Sequence, residues 1–157
     1  MARRRRATKR PITEDPKYHS TLVTRLINTV MKWGQKSVAR RIVYDALDII
    51  AQKVQDADPL DVFQRAVENA KPRLEVKSRR VGGATYQVPM EVPPDRQTSL
   101  AIRWIVDFAD ARKGVPMKQA LASEIMDAAQ GQGNAIRKRD DVHKMAQANK
   151  AFAHFRW

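Results

Sequence analysis

The sequence of 157 residues contains no cysteine, which excludes disulfide bonds, thiolate metal sites and cysteine nucleophiles. It also lacks a long apolar run, because charged residues interrupt each hydrophobic stretch before the roughly 18 residues that a membrane-spanning helix needs. The opening MARRRRATKR has the charge of a signal-peptide start, but no apolar segment follows it. We therefore expect an intracellular protein without a membrane-spanning segment.

Residues suited to catalysis or metal binding are also scarce. His19, His143 and His154 are the three histidines, and none lies at a metal-ligand spacing such as HExxH. The Gly-Gln-Gly sequence at 131–133 lacks the Gly-Lys-Ser/Thr end of a phosphate-binding loop. The sequence therefore predicts a protein that is not an enzyme and that uses no cofactor or metal.

Basic residues, by contrast, are abundant: 30 Lys and Arg stand against 17 Asp and Glu, a net charge of +13. The excess lies in the segments 1–41, 73–103 and 137–157, with net charges of +10, +3 and +4. The intervening segments 42–72 and 104–136 are slightly acidic, at −3 and −1. A charge that only serves solubility is more evenly interspersed. The pattern favours a polyanionic partner, either nucleic acid or an anionic membrane surface.

The apolar pattern predicts a mainly α-helical fold: about six helices in one domain over 15–157, with a single protruding β-hairpin between the third and fourth helices. Residues 1–14 lack apolar periodicity and include four consecutive arginines, so we expect a flexible basic arm. Asp15 as N-cap and Pro16 at the first helical position predict the start of the first helix. Gly34 marks its end.

The second helix is predicted from Lys36 to Gln55. Its buried stripe is expected to consist of Val38, Ile42, Ala46, Ile49 and Ile50. Asp58 and Pro59 repeat the N-terminal signal for a third helix. Pro72 ends that helix, because proline lacks the backbone donor that helix continuation needs.

Prolines also mark the starts of the fourth and fifth helices, at Pro93-Pro94 and at Pro116, and Gly131 ends the fifth. The sixth helix is predicted from about Asn134 into the C-terminus. Most of the large aromatic residues are expected in the core: Trp33, Tyr44, Phe63, Trp104 and Phe108. The last aromatic residues have two open interpretations, packing on the core or docking on a partner: Phe152, Phe155 and Trp157.

The hairpin is predicted at about 73–92, where RLEVKSRRV and TYQVPMEV have the composition of strands. A Gly-Gly pair between them suits a type I′ turn, which places Arg79 opposite Tyr86 and Lys77 opposite Val88. A basic ribbon with an aromatic ring can follow a phosphate backbone and stack on a base. The alternative is that these charges only protect an exposed sheet edge from aggregation.

Arg137, Lys138 and Arg139 fall at the start of the predicted sixth helix, where the helix dipole disfavours cations. A phosphate docked at that end would reverse the effect, and the alternative places the triplet in an exposed loop. Arg96 and Arg103 can share one face of the fourth helix. Together with the arm, the second helix and the hairpin, the candidate nucleic-acid-binding residues are Arg3, Arg4, Arg5, Arg6, Lys9, Arg10, Lys36, Arg40, Arg41, Arg73, Lys77, Arg79, Arg80, Tyr86, Arg96, Arg103, Arg137, Lys138 and Arg139.

Several segments resemble one known family. VKSRRVGGATYQVPMEV at 76–92, LAIRWIV at 100–106 and RKRDDVHKMAQANKAFAHFRW at 137–157 are closely similar to small-subunit ribosomal protein seven of bacteria and organelles. DPKYHSTLVTRLINTVMKWGQKS at 15–37 resembles the same family's signature. That signature has Gly-Lys-Lys after the first helix, and here Gln35 replaces the middle residue.

The resemblance implies a fold of six helices with a protruding hairpin. It implies a structural, non-enzymatic role: a primary binder of small-subunit ribosomal RNA in its 3′ major domain, which nucleates assembly of the subunit head. The family lies near the exit site for tRNA and the mRNA exit path, beside small-subunit ribosomal proteins nine and eleven. Its hairpin, matched here by Arg79, Arg80 and Tyr86, reaches toward the exit site. We expect a cytoplasmic ribosome, with an organellar one as the alternative.

The rival hypothesis is a basic architectural DNA-binding protein that inserts the hairpin into a groove. Such a protein usually concentrates its charge on one continuous face and often dimerises. Here the basic segments are scattered and there is no heptad seam, so we expect no homo-oligomer.

Overall fold

The structure, a computed structural model, describes residues 10–54 and 57–155. These residues form six α-helices, one antiparallel β-hairpin and a final 3-10 helix, which confirms the predicted fold class. The elements are α1 (Thr21–Val30), α2 (Lys36–Lys53), α3 (Pro59–Ala70), β1 (Leu74–Val81), β2 (Ala84–Glu91), α4 (Pro94–Asp110), α5 (Met117–Ala129), α6 (Asn134–Ala148) and the 3-10 helix (Lys150–Phe155). The predicted helix end at Gln55 and the last aromatic residue, Trp157, lie outside the described residues.

The predicted start of the third helix is confirmed, whereas that of the first is wrong. Asp58 caps α3: its side chain accepts a hydrogen bond from a backbone N–H two residues on, at 3.0 Å, and Pro59 is the first helical residue. The first helix instead begins at Thr21, where the side chain of Ser20 is the cap. The Asp-Pro sequence therefore starts a helix at Asp58-Pro59 but not at Asp15-Pro16.

Asp15 does not cap a helix because its carboxylate has other partners. The side chain is buried and accepts hydrogen bonds from the backbone N–H groups of Lys17 and Tyr18, at 3.0 and 3.2 Å. The hydroxyl of Tyr44 in α2 donates to the same carboxylate at 2.8 Å. Lys17 in addition pairs with Asp48 at 2.9 Å. The chain is thus attached to α2 before α1 begins.

The core lies around α5, which packs against α2, α3 and α4. Three of its six buried residues are alanines, which let neighbouring helices approach closely: Ala120, Ala122 and Ala128. Phe63 from α3 is the largest fully buried side chain and completes this layer. Burial of these apolar surfaces stabilises the helical body that holds the hairpin and the exposed basic residues.

The buried stripe of α2 is rotated relative to the prediction. The residues that face the core are Ala39, Val43, Ala46, Leu47 and Ile50, whereas Ile42 and Ile49 are half-buried. Val38 is 48% exposed. Both sets repeat at helical spacing, so periodicity alone could not separate them.

The aromatic residues divide between the core and the surface. Tyr44, Trp104 and Phe108 are half-buried against the core. Phe63 is fully buried within it. Trp33 was expected in the core, and this is wrong: its side chain is 96% exposed. It is exposed because α1 ends at Val30 and Trp33 lies in the turn that leads to α2.

The hairpin has the predicted turn and register. Gly82 and Gly83 have φ of +58° and +88°, the left-handed values that a type I′ turn requires. Arg79 pairs with Tyr86, and the partner of Lys77, Val88, is fully buried. The ribbon packs against α6 and the 3-10 helix, which supplies the support that two strands alone lack.

The C-terminal segment settles one open question. The sixth α-helix ends at Ala148 and does not continue to the C-terminus as predicted, because a 3-10 helix follows. That helix carries Phe152 and Phe155 back onto Tyr86 of the hairpin, with ring centroids 5.3 and 5.0 Å away. Both rings therefore fold back on the protein, on the hairpin and not on the helical core.

Candidate nucleic-acid interface

The hairpin presents most of its basic side chains to solvent. Arg73, Lys77 and Arg80 are exposed, and Arg79 is half-buried. The turn between the strands is exposed as well, so the tip of the ribbon is accessible to a large partner. Tyr86 is half-buried against the aromatic rings of the 3-10 helix, which limits the ring surface it can offer to a base.

One carboxylate joins the hairpin to α4. Glu75 on β1 accepts hydrogen bonds from Nε of Arg96 at 3.1 and 2.9 Å, and Nζ of Lys77 lies 3.2 Å away. Burial raises the pKa of Glu75, but the hydrogen bonds from Arg96 and Lys77 outweigh it and hold the pKa below the ordinary value. Arg96 therefore positions the hairpin, and its charge is partly neutralised within the protein.

The basic triplet lies inside α6, as predicted, and the alternative that it lies in an exposed loop is wrong. The helix begins at Asn134, which puts the triplet in the second turn. Arg137 and Lys138 are exposed. Arg139 is half-buried, because its guanidinium donates to the backbone carbonyl of Asn69 and to the Asp140 carboxylate. The three neighbours thus have two different environments.

The predicted phosphate site at the start of α6 is wrong, because a protein carboxylate occupies it. The amides of Asn134 and Ala135 donate to Oε1 of Glu124 at 3.1 and 3.0 Å. Glu124 is fully buried, and its other oxygen accepts from Arg112 at 2.6 Å. The hydrogen bonds that Arg112 donates to the carboxylates of Glu124 and Asp127 raise the pKa of Arg112. The positive end of this helix is therefore already neutralised.

A second basic surface lies between α1 and α4. A groove of about 430 Å³ is lined by polar residues of both helices, including Arg25, Asn28, Ser99 and Arg103. Arg96 and Arg103 are both in α4, seven residues apart, as expected for two residues on one face, but Arg103 lines this groove and Arg96 contacts the hairpin. No sequence pattern pointed to Arg25, because it lies in a helix whose other features indicate core packing.

The start of α2 forms a third basic surface. Lys36 and Arg41 are exposed, and Arg40 is half-buried with an Nε atom that has no hydrogen-bond partner among the described residues. Arg10 is exposed at the start of the described chain. The other candidates of the arm lie outside the described residues: Arg3, Arg4, Arg5, Arg6 and Lys9.

Comparison with known proteins identifies the family. The profile of the family described as ribosomal protein S7p/S5e matches residues 2–150. The small ribosomal subunit protein uS7 of Akkermansia muciniphila is 62% identical over 157 residues, all of both chains. The uS7 protein of Thermotoga neapolitana is 61% identical over 155 residues, 99% of both chains. The uS7 protein of Desulfotalea psychrophila is 55% identical over 157 residues, all of both chains. The chain belongs to the S7p/S5e family of ribosomal proteins.

Membership of the S7p/S5e family agrees with the resemblance found in the sequence, and the family is one of ribosomal structural proteins, not of enzymes. Within residues 10–54 and 57–155, no group of three His, Asp or Glu side chains is placed to hold a metal ion. No helix in the same ranges has both the length and the apolar character needed to cross a membrane.

In this S7p/S5e protein, the base of the hairpin brings two candidate residues together. A groove of about 460 Å³ between the hairpin base, α3 and α6 is lined by Arg73, Arg139 and Lys71, among others. The backbone N–H of Arg73 donates to Nε2 of His143 at 2.9 Å, which attaches β1 to α6. Arg103 and Lys36 lie on other elements, and Arg137, although it is on α6, does not line this groove.

Sequence reasoning missed Glu124, which controls the connection between α5 and α6. The available signal was an acidic residue within an apolar helical stripe, between Leu121 and Ala128. Gly133 is part of the same arrangement: its φ is +89°, and a Cβ there would lie 3.1 Å from Cβ of Asp127 and 3.2 Å from Oε1 of Glu124. A side chain at this position would therefore push against the buried carboxylate.

Proposed function

We propose that the protein is a structural constituent of the small ribosomal subunit and binds its ribosomal RNA at several separate surfaces. The observation that carries the proposal is the exposure of basic side chains on four elements of one folded body: Lys36, Lys77, Arg80, Arg103, Arg137 and Lys138. The names of the relatives, each a small ribosomal subunit protein, support the same assignment.

The mechanism is electrostatic and geometric. Each basic side chain that neutralises an RNA phosphate releases condensed counterions, so affinity should fall steeply as salt rises. The helices around α5 keep the basic surfaces at fixed relative positions, since they share one apolar core. RNA segments bound to different surfaces would therefore be held in one relative arrangement, which is what assembly of a ribosomal domain requires.

We further propose the finer role that the family resemblance implies. In this role the protein binds the 3′ major domain early and nucleates assembly of the subunit head in a cytoplasmic ribosome. The basic arm of residues 1–14 adds contacts to the RNA backbone. The hairpin reaches toward exit-site tRNA and the mRNA exit path, and ribosomal proteins nine and eleven are neighbours. The exposed tip of the ribbon supports the hairpin's part in this proposal.

Filter binding with competing nucleic acids tests the proposal. A fragment of the 3′ major domain RNA should compete for the protein far better than duplex DNA of equal length, and affinity should decrease strongly with salt. Equal competition by duplex DNA would favour the architectural DNA-binding hypothesis instead.

A matched pair of variants then locates the interface. Arg80→Ala removes an exposed charge from the hairpin, and Arg65→Ala removes one from α3 in the acidic segment 42–72. If Arg80 contacts a phosphate, the slope of log affinity against log salt should fall by roughly 0.7 to 0.9. Arg65→Ala should leave the slope unchanged. Equal effects of the two variants would contradict the assignment of the hairpin.

A further inference from the structure

Trp33 is the most exposed large apolar residue among the described residues, at 96%. Its backbone has a φ of +58°, in the left-handed region that bulky side chains rarely adopt, and Gly34 follows at +76°. A conformation this unusual persists only where the surrounding structure imposes it, and it is often found at functional sites. The position therefore needs an explanation beyond packing, because the ring packs on almost nothing.

The turn that carries Trp33 is held in place on both sides. The side chain of Lys32 pairs with Asp110 of α4 at 2.9 Å, and the backbone N–H of Gln35 donates to the carbonyl of Lys32 at 3.1 Å. The backbone N–H of Lys36 donates to the carbonyl of Gly34 at 2.9 Å. The loop thus presents an aromatic ring to solvent from a defined position on the helical body.

The charge around Trp33 favours an anionic partner. Lys36 is exposed in the first turn of α2, and that turn contains no acidic residue. The residues between Trp33 and Val38 are all exposed and polar or glycine. A protein anchor is usually surrounded by contacts that exclude water, whereas a nucleobase needs only one planar face with cations nearby for its phosphate.

We propose that Trp33 is a stacking platform for an unpaired base of the bound ribosomal RNA. The inference rests on the proposed function. It adds a residue that contacts RNA by stacking of its aromatic ring and not by charge. Arginine and lysine contact the phosphates, which every RNA sequence and every base-paired region presents. A base that stacks on a tryptophan ring must instead be unpaired at that point. Trp33 would therefore require a bulge, a loop or a strand end in the RNA near the start of α2.

Fluorescence tests the contact directly. The sequence has three tryptophans, so the double variant Trp104→Phe, Trp157→Phe leaves Trp33 as the single one. Titration with the 3′ major domain RNA fragment should quench its emission if a base stacks on the ring. Circular dichroism of the double variant before titration confirms that it is folded.

Two substitutions separate the ring from the backbone. Trp33→Asn keeps a residue that tolerates positive φ, so the melting temperature should stay equal or rise slightly, while RNA affinity should fall about 5- to 150-fold, as ~1–3 kcal/mol of stacking implies. Trp33→Phe should retain most of the affinity. The salt slope should be unchanged in both variants, because no phosphate contact is lost.

The outcomes distinguish this inference from the proposed function. If the parent protein binds RNA but Trp33 is not quenched and Trp33→Asn binds normally, the stacking proposal is overturned, and a protein neighbour that contacts Trp33 and Val38 becomes the better explanation. If the asparagine variant loses stability and affinity together, Trp33 is structural and the proposal fails. Absence of any RNA binding by the parent protein would overturn both proposals.

Discussion

At the scale of single residues, Glu124 is the group on which the local structure most depends. Its carboxylate is fully buried, accepts two hydrogen bonds from the first amides of α6 and one from Arg112, and faces Gly133. Removing it would leave the amides of Asn134 and Ala135 without this acceptor and Arg112 with Asp127 as its remaining carboxylate partner. The cost of such a loss exceeds that of an exposed ion pair several-fold.

We therefore expect Glu124→Ala to lower the free energy of unfolding by about 3–5 kcal/mol, the range for breaking a buried ion pair. Chemical denaturation with circular dichroism measures it. Asp127→Asn is the matched control, because that carboxylate also binds Arg112 but is 44% exposed, and it should lose less than about 1 kcal/mol. Similar losses for the two variants would contradict the special role of Glu124.

His143 is a second residue whose state matters, because its Nε2 must be an acceptor for the N–H of Arg73. Burial lowers the pKa of His143 from its ordinary 6.5, Arg139 and Arg73 lower it further, and Asp140 opposes them. As pH falls through 6.5, the unfolded chain takes up a proton that the folded protein resists. The folded state is thus stabilised above this pH and loses stability below it.

The expected result is a free energy of unfolding that decreases as pH falls below 6.5, with a smaller decrease in His143→Gln, whose side-chain oxygen can still accept. Urea titrations at several pH values measure it. The control is Gln147→Ala, an exposed residue of α6 without a titratable group, which should keep the parent's pH dependence. If both variants behave like the parent, the hydrogen bond from Arg73 does not govern the effect.

At the scale of elements, the hairpin depends on the C-terminal 3-10 helix. Tyr86 contacts two phenylalanine rings, Phe152 and Phe155, at centroid distances of 5.3 and 5.0 Å. Each such aromatic pair contributes roughly 0.5–1.5 kcal/mol beyond its area burial. Two strands without support are only marginally stable. The contact between Tyr86 and the two phenylalanine rings therefore determines how well the hairpin is ordered.

We expect Phe152→Ala with Phe155→Ala to increase hydrogen exchange of the β2 amides by about 5- to 150-fold, as the loss of ~1–3 kcal/mol implies, while amides of α5 keep their protection. Mass spectrometry with peptide resolution measures both. Met145→Ala, an exposed residue of α6, should leave exchange of the hairpin unchanged. Unaltered protection of β2 in the double variant would mean that α6 alone supports the ribbon.

The elements also show where sequence reasoning succeeds and where it stops. The Gly-Gly turn and the helix starts marked by Pro59, Pro94 and Pro116 depend on local sequence, and they were predicted at their observed positions. Asp15 was misread because its partner, Tyr44, lies 29 residues away and offers a better use for the carboxylate than a helix cap. The stripe of α2 was misplaced because two periodic sets compete, and only the packing of α5 selects one.

At the scale of the whole molecule, the alternation of basic and acidic segments predicted separate binding surfaces, but not which cations stay available. Arg96 donates hydrogen bonds to Glu75, 21 residues away, and Arg139 donates to the carbonyl of Asn69, 70 residues away. No local pattern reports contacts at such separations. Basic residues of similar appearance therefore divide into those that hold the hairpin and α3 in place and those that remain exposed to a partner.

Arg137 and Arg139 make this division testable within one turn of α6. Arg137 is exposed, with no ion pair among the described residues, and Glu124 already neutralises the nearby helix end, so Arg137→Gln should change stability by less than about 0.5 kcal/mol. It should weaken RNA binding and reduce the salt slope by roughly 0.7 to 0.9. Arg139→Gln should lower stability by about 1–3 kcal/mol, because its hydrogen bonds to Asn69 and Asp140 are lost. Thermal melts and filter-binding titrations of the two variants decide the matter: a destabilised Arg137→Gln protein with unaltered RNA affinity would show that both arginines serve the fold.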